Sequence, residues 1–304
     1  MEKIFNSVLE AVGRTPLVKV KYATGGVGIW AKLEMLNPSG SIKDRMAIFM
    51  VEKAEKKKVL RKGMTILEAT TGNTGIALAM VAAVKGYKMV AVMPENMTWE
   101  RQQMVKAFGG EVILTPAEDG PSGAIKKRDF LAQNQNLYWV PGQFENQDNT
   151  FSHEIFTGKE IIEQMDGKID AFVAGVGTGG TLVGIAKALK VERLKTKIIA
   201  VEPAESAVLS GKKTGTHNIQ GIGEGFIPKL VRKEMIDEVI KVSTQEAVLM
   251  VRKLARENGI FAGFSSGANM VAAIRIANKM GAGKRVVTIF PDRGERYLSE
   301  GVFN

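Results

Sequence analysis

One pattern recurs along most of the chain: a short apolar run, a turn, then a helical stretch. MTILEAT leads into GNTGIALAMVAAVKG, KMVAVMPEN into TWERQQMVKAFG, and EVILTPAEDG into PSGAIKKRDFLAQNQ. AFVAGVGTGG leads into TLVGIAKALKV, and KIIAVEPAE, EVIKVSTQEAVLMVRKLARENG and RVVTIFPDRGERYLSEG continue the rhythm. A crossover helix returns the chain to lay the next strand parallel to the last. The expected class is therefore α/β, with mainly parallel sheets flanked by helices. Turns at the carboxyl ends of such strands are where ligands bind. The 304 residues suffice for one large or two ordinary domains. No Pro- or Ser-rich linker separates them, so two domains would be closely packed or interleaved.

Composition removes several kinds of chemistry. There is no cysteine, hence no disulfide, thiolate metal ligand or cysteine nucleophile. Two histidines, His153 and His217, are too few for a His-rich metal site, and no metal is expected. No apolar run reaches the ~18 residues of a membrane span. The opening MEKIFNSVLEAVGRTPL lacks the long apolar core of a signal peptide. A cytoplasmic protein without membrane contact is expected. The net charge is +10, but the basic residues in EKAEKKKVLRKG and AIKKRDF lie beside acids on helix-like stretches. They read as solvated faces, so no nucleic-acid partner is expected. The excess positive charge still favours anionic small molecules.

The turns carry the chemistry. In NPSGSIKDR, Lys43 stands at the mouth of a helix, where the macrodipole already favours negative charge. A solvated lysine is the plain reading; a reactive amine is the other. In GVGTGGT, Gly175 to Thr181, glycines let backbone N–H groups crowd an anion at a helix start, a cup for phosphate. The same string fits G-x-G-x-x-G, and Glu202 ends the next strand roughly twenty residues on, so a dinucleotide reading also stands. In EATTGNTG, the hydroxyls of Thr70, Thr71 and Thr74 with Gly72 and Asn73 make a carboxylate receptor, or merely a capped helix. In GFSSGA, Ser265 and Ser266 read as helix caps or as a neutral partner for a ring nitrogen. A lysine, a phosphate cup, a carboxylate loop and a hydroxyl for a heterocycle together describe a pyridoxal 5′-phosphate site.

These stretches resemble one family. NPSGSIKDR, TTGNTGIALA, VPGQFENQDN, GVGTGGT, VEPAESAVLSGKK, IQGIGEGFIP, SSGA and GERYLS are similar to the motifs of the cysteine synthases, the O-acetylserine sulfhydrylases. They follow in family order from about Gly13 to Ser299. The resemblance implies a two-domain fold-type II pyridoxal-phosphate enzyme, tryptophan synthase β-like. Residues 40–145 would form the smaller domain, and 1–39 with 146–304 the larger, cofactor-binding one. It implies that Lys43 forms the Schiff base and later moves the α-proton. Asn73 would bond the cofactor's 3′ oxygen, and Gly177, Thr178, Gly179, Gly180 and Thr181 its phosphate. Ser265 would face the pyridine nitrogen. Thr70, Thr71, Gly72, Thr74, Gln143 and Gly221 would line the place of the amino-acid substrate. A homodimer is implied.

The implied reaction is β-replacement on a serine- or cysteine-type amino acid through an aminoacrylate. O-acetylserine and sulfide would give cysteine and acetate. Departures from the family leave a second reading. Ala69 and Thr71 stand where Pro and Ser are usual, FTGKEI stands for TTGPEI, and Trp99 replaces a smaller residue. Glu224 in GIGEGF takes the place of a small apolar residue at the implied entrance. A carboxylate there gains nothing with hydrosulfide but can act as acid or base, or attract an amino-thiol. Cysteine would then be the first substrate, releasing hydrogen sulfide and yielding lanthionine, cystathionine or serine. An NAD-dependent oxidoreductase is the distant alternative.

Overall fold

The computed structural model describes residues 4–22 and 25–303. Residues 1–3, 23–24 and 304 lie outside the described part; they include the first residues of the stretch read for a signal peptide and the last of the expected larger domain.

Ten described strands form two sheets. The six-stranded sheet holds β1 (Leu17–Lys19), β2 (Gly28–Leu33), β7 (Ala171–Gly175), β8 (Lys197–Pro203), β9 (Glu238–Val242) and β10 (Arg285–Phe290). Its order is β1-β2-β10-β7-β8-β9. The four-stranded sheet holds β3 (Thr65–Ala69), β4 (Lys88–Pro94), β5 (Glu111–Thr115) and β6 (Tyr138–Trp139), in the order β5-β4-β3-β6. Every pairing is parallel except β1 with β2. The alternation predicts the parallel strands and says nothing of the short antiparallel edge. The chain leaves the larger sheet after β2, builds the whole smaller sheet, and returns at β7.

The helices are α1 (Lys43–Lys56), α2 (Asn73–Lys85), α3 (Trp99–Ala107), α4 (Gly120–Leu131), α5 (Gln147–Ser152), α6 (Lys159–Gln164), α7 (Gly180–Val191), α8 (Thr244–Asn258) and α9 (Phe264–Met280). A single π turn, His153–Gly158, joins α5 to α6. Parallel strands covered on both faces read as continuous apolar runs, and β3 is buried at all five positions. Ala47, Val51, Ile76 and Met80 from α1 and α2 pack with Ile66 and Ala91 on one face of the smaller sheet. Ala124 of α4 joins Leu67 and Val92 on the other. On the larger sheet, Val251 and Leu254 of α8 and Ala268 and Ile276 of α9 cover Ile199, Val201 and Val286. Leu182, Ile185 and Leu189 of α7 cover Phe172, Ile198 and Val287. Burial of this kind contributes about 25 cal/mol per Å² of apolar surface.

This arrangement brings four helix starts together. α2 and α7 begin just beyond β3 and β7, and the segment beyond β10 packs on the turns that open α1 and α9. Ile42 donates its N–H to Pro291 O at 2.8 Å, and Gly263 donates to Asp292 O at 3.0 Å.

Candidate active site

Lys43 is the first residue of α1, Asn73 the first of α2, Gly180 the first of α7 and Ser265 the second of α9. Their helix starts aim partial positive charge at one cavity, of about 760 Å³ with its open mouth. Lys43, Thr70, Thr71, Asn73, Thr74, Gln143, Gly177, Thr178, Gly179, Thr181, Gly221, Glu224 and Ser265 all line it. Of the site residues that the resemblance implies, Gly72 and Gly180 do not. An added Cβ would point at Arg101 from Gly72 and at Asn149 from Gly180.

The Lys43 amine has no hydrogen-bond or ion-pair partner among the described residues. Burial lowers its pKa from 10.5, against the opposing pull of Glu224 and Asp292. That favours the neutral, nucleophilic amine. The glycine loop behind it is tightly held. A Cβ on Gly177 would lie 2.3 Å from Gly221 O, so the two loops touch backbone to backbone. Gly179 caps α7 at φ 85°, a conformation that other residues adopt at a cost. Thr178 Oγ1 accepts from Asn149 Nδ2 at 3.1 Å and from Gly180 N at 3.3 Å. Thr181 Oγ1 lies 3.3 Å from His153 Nε2, and His153 Nδ1 lies 2.9 Å from Thr157 Oγ1 in the π turn. Burial, then the charges of Lys43 and Arg45, hold His153 well below its ordinary pKa, so the imidazole is neutral.

The threonine loop divides its work. Thr70 Oγ1 accepts from Gly72 N at 2.9 Å and fixes the turn. Thr74 Oγ1 donates to Gln143 Oε1 at 2.6 Å, and Gln143 Nε2 donates to Ala69 O at 2.7 Å. Thr71 is left to face the cavity. The N-cap of α2 is Gly72, with no side-chain cap. Ser265 and Ser266 do not cap α9 either. Both lie inside its first turn after Gly263, and the Ser265 hydroxyl has no partner among the described residues. Glu224 lines both this cavity and a vestibule of about 1130 Å³ outside it, shared with Asn96, Met97 and His217. Burial raises its pKa, while Lys43 and then Arg101 pull it down.

Three cavity neighbours carried no local signal. Arg101, in the first turn of α3, lines the cavity with Nε and Nη1 unpartnered. Asn269 of α9 lines it and donates Nδ2 to Ile289 O at 2.8 Å. Asp292 accepts from Asn73 Nδ2 at 2.7 Å. Glu202, the residue a dinucleotide ribose would need, accepts from Leu209 N at 2.7 Å and Ser210 N at 3.1 Å, away from the cavity. Its carboxylate fixes a loop, and the dinucleotide reading loses its second element. No group of three or more potential metal ligands occurs among the described residues.

An unpaired lysine, an anion cup and a free hydroxyl in one cavity define an enzyme that uses pyridoxal phosphate. The chain belongs to the family of pyridoxal-phosphate dependent enzymes, matched over residues 8–292. It is 48% identical to a cysteine synthase of Staphylococcus aureus, over 100% of this chain and 98% of the relative. Its fold matches the crystal structure of an O-acetylserine dependent cystathionine β-synthase from Helicobacter pylori with a TM-score of 0.96, at 42% identity and full coverage of both chains. It also matches a hydrogen sulfide-producing enzyme from Fusobacterium nucleatum with a TM-score of 0.94, at 41% identity over 97% of this chain and 100% of that one. The family overturns the oxidoreductase alternative. The unpaired Lys43 amine, the α7 start and the partnerless Ser265 fit the cofactor's aldehyde, phosphate and ring nitrogen in turn.

Proposed function

We propose that this enzyme makes L-cysteine and acetate from O-acetyl-L-serine and sulfide. The observation that carries the reading is the unpaired Lys43 beside the Thr71–Gln143 wall, in a chain nearly half identical to a cysteine synthase along its whole length. When bound, pyridoxal phosphate supplies an aldehyde for the substrate's amino group and an electron-accepting ring that acidifies its α-proton. Thr71 and Gln143 hold the substrate carboxylate, with Gln143 aligned by Thr74 and Ala69. Lys43 takes the proton from the α-carbon and returns it once the new group is in place. Gly177, Thr178, Gly179 and Thr181, with the N–H of Gly180, hold the phosphate. Ser265 meets the ring nitrogen with a neutral hydroxyl, so the ring is not driven to full protonation and loss of the β-group is favoured. Gly221 supports the glycine loop from the entrance side.

A second reading is favoured by Glu224. A carboxyl whose pKa is raised by burial holds its proton to higher pH and can pass it to a departing hydrosulfide. Cysteine then serves as the first substrate, and an amino-thiol or water as the second. Steady-state rates with O-acetylserine plus sulfide, against cysteine alone and cysteine plus homocysteine, decide between them. A higher kcat/KM for O-acetylserine supports the synthase; cysteine as the better substrate, with Glu224→Gln slowing only that reaction, supports the second reading.

The division of the chain is proposed as 40–145 and 1–39 with 146–304. The packing of α1, α2 and α4 on the two faces of the four-stranded sheet supports it, with Leu9 and Val12 of the larger part packed against one of these clusters. A homodimer is proposed from the resemblance, with light scattering as its test. A cytoplasmic place is proposed from the absence of cysteine; no helix among the described residues is long and apolar enough to cross a membrane.

A further inference from the structure

Asp292 lies at the junction of three site segments. It forms an isolated bridge with Ser41, two residues before Lys43. Its backbone oxygen accepts from Gly263, the N-cap of the helix that carries Ser265. Its side chain is 1% exposed. Oδ2 accepts from Asn73 Nδ2 at 2.7 Å and from the Tyr297 hydroxyl at 2.7 Å. Tyr297 Oη in turn accepts from Arg101 Nη2 at 2.8 Å, and the Arg101 guanidinium stacks 4.7 Å from the Tyr297 ring centre. Arg101 Nη2 is also 3.8 Å from Asp292 Oδ2. Space is reserved for this cluster: a Cβ on Gly263 would lie 2.2 Å from Asp292 Oδ1 and 2.4 Å from Tyr297 Cε2.

The chemistry of the pair fixes an orientation. An ionised carboxylate only accepts hydrogen bonds, whereas an amide side chain can present either its NH₂ or its oxygen. Facing Asp292, Asn73 is held with NH₂ toward the carboxylate. One N–H is spent there; the second N–H and the buried, unpartnered Oδ1 remain for whatever enters the cavity. Without the carboxylate the amide could turn over, and donor and acceptor would exchange places.

We propose that Asp292 is a positioning residue that sets the amide of Asn73 against the cofactor's 3′ oxygen, braced from α3 by Arg101 through Tyr297. The inference rests on the placement of Asn73 against the cofactor given above. It assigns to the PDRGERY segment beyond β10 a part in cofactor electronics. Asp292 itself touches neither cofactor nor substrate; it acts through Asn73.

The test uses the holoenzyme and reads the visible absorption of the bound cofactor, its dependence on pH, and the cofactor dissociation constant. Asp292→Asn keeps size and removes the acceptor-only constraint. It is expected to shift the absorption maximum and the midpoint of its pH transition, and to lower kcat about tenfold with little change in KM. Tyr297→Phe, which leaves the carboxylate in place, is expected to shift the band in the same direction by less. In an Asn73→Ala background, Asp292→Asn should have no further spectral effect. If Asn73→Ala itself leaves the spectrum unchanged, the placement of Asn73 is wrong and this inference falls with it. If Asn73→Ala shifts the band but neither Asp292→Asn nor Tyr297→Phe does, the positioning role alone is overturned. A band shift for Asp292→Asn that persists unchanged in the Asn73→Ala background also overturns it.

Discussion

Lys43 and Arg45 lie two residues apart in the first turn of α1 and meet opposite fates. Arg45 is enclosed by carboxylates. Its Nε and Nη2 donate to Glu34 at 2.6 and 2.7 Å, and its Nη1 and Nη2 donate to Glu160 at 2.7 Å each. Lys32 adds an ion pair to Glu160 at 2.7 Å, and Thr15 donates to Glu34 at 2.6 Å. Lys43 looks the other way, into the cavity, and has no such partner. In the wall around it, Asn73 Oδ1 and Asn269 Oδ1 are buried without partners. The Arg45 side is a finished network that holds the fold. The Lys43 side keeps its polar groups unspent, at a cost of about 1–3 kcal/mol for each unsatisfied group, and a ligand restores the missing bonds.

The largest test of this contrast is Lys43→Ala. It should lower turnover by ~1000-fold or more and abolish the covalently linked cofactor's visible band, while the melting temperature stays the same or rises. A fall in melting temperature as large as that of an Arg45 variant would erase the distinction. Arg45→Ala should do the reverse, destabilising the fold by about 3–5 kcal/mol in denaturant unfolding, because Glu34 is left buried without an ion-pair partner and Glu160 keeps Lys32 alone. Thr74→Val sits between the two kinds. Loss of its bond to Gln143 should raise KM for the amino-acid substrate about tenfold, with a smaller effect on kcat.

The smallest effect is in pH. Burial favours the neutral form of Glu160, but hydrogen bonds and charge from Arg45 and a bond from Lys32 outweigh it, holding the carboxyl at about 2 against an ordinary 4.5. A depressed carboxylate contributes stability above its unfolded pKa and loses it as pH falls toward the folded one. Stability should therefore decline from about pH 4.5 down to about pH 2. In Glu160→Gln that part of the acid limb should flatten, as read by denaturant unfolding at each pH. An unchanged slope would show that other carboxyls govern the acid limb.

What could be read in advance was local. Strand, turn and helix follow one another within a few residues, so the parallel strands, the glycine loop and Lys43 were all visible in short stretches. The two-residue β6 and the antiparallel β1 are too short to carry a period. Arg101 and Asp292 were hidden for another reason. Arg101 looks like any charged residue on a surface helix until Tyr297, nearly two hundred positions away, is folded against it. Ser265 shows the converse error in the capping reading: hydroxyls at helix starts cap often, yet here Gly263 holds the cap position. Glu224 was legible as a departure, and its burial beside Lys43 needed the fold.

The pairing of β2 with β10 has a consequence for the birth of the molecule. These neighbours in the larger sheet, Gly28–Leu33 and Arg285–Phe290, are separated by most of the polypeptide. As a ribosome releases the chain in order, the smaller sheet can assemble early, while the larger one waits with β2 and β7 both unsealed. Closure of that seam, and with it the docking of Pro291 and Asp292 beside the lysine, comes after nearly everything else has emerged. Cofactor capture is then a late event in biosynthesis, and until it happens the open seam is the place where a nascent chain most needs shielding from its neighbours.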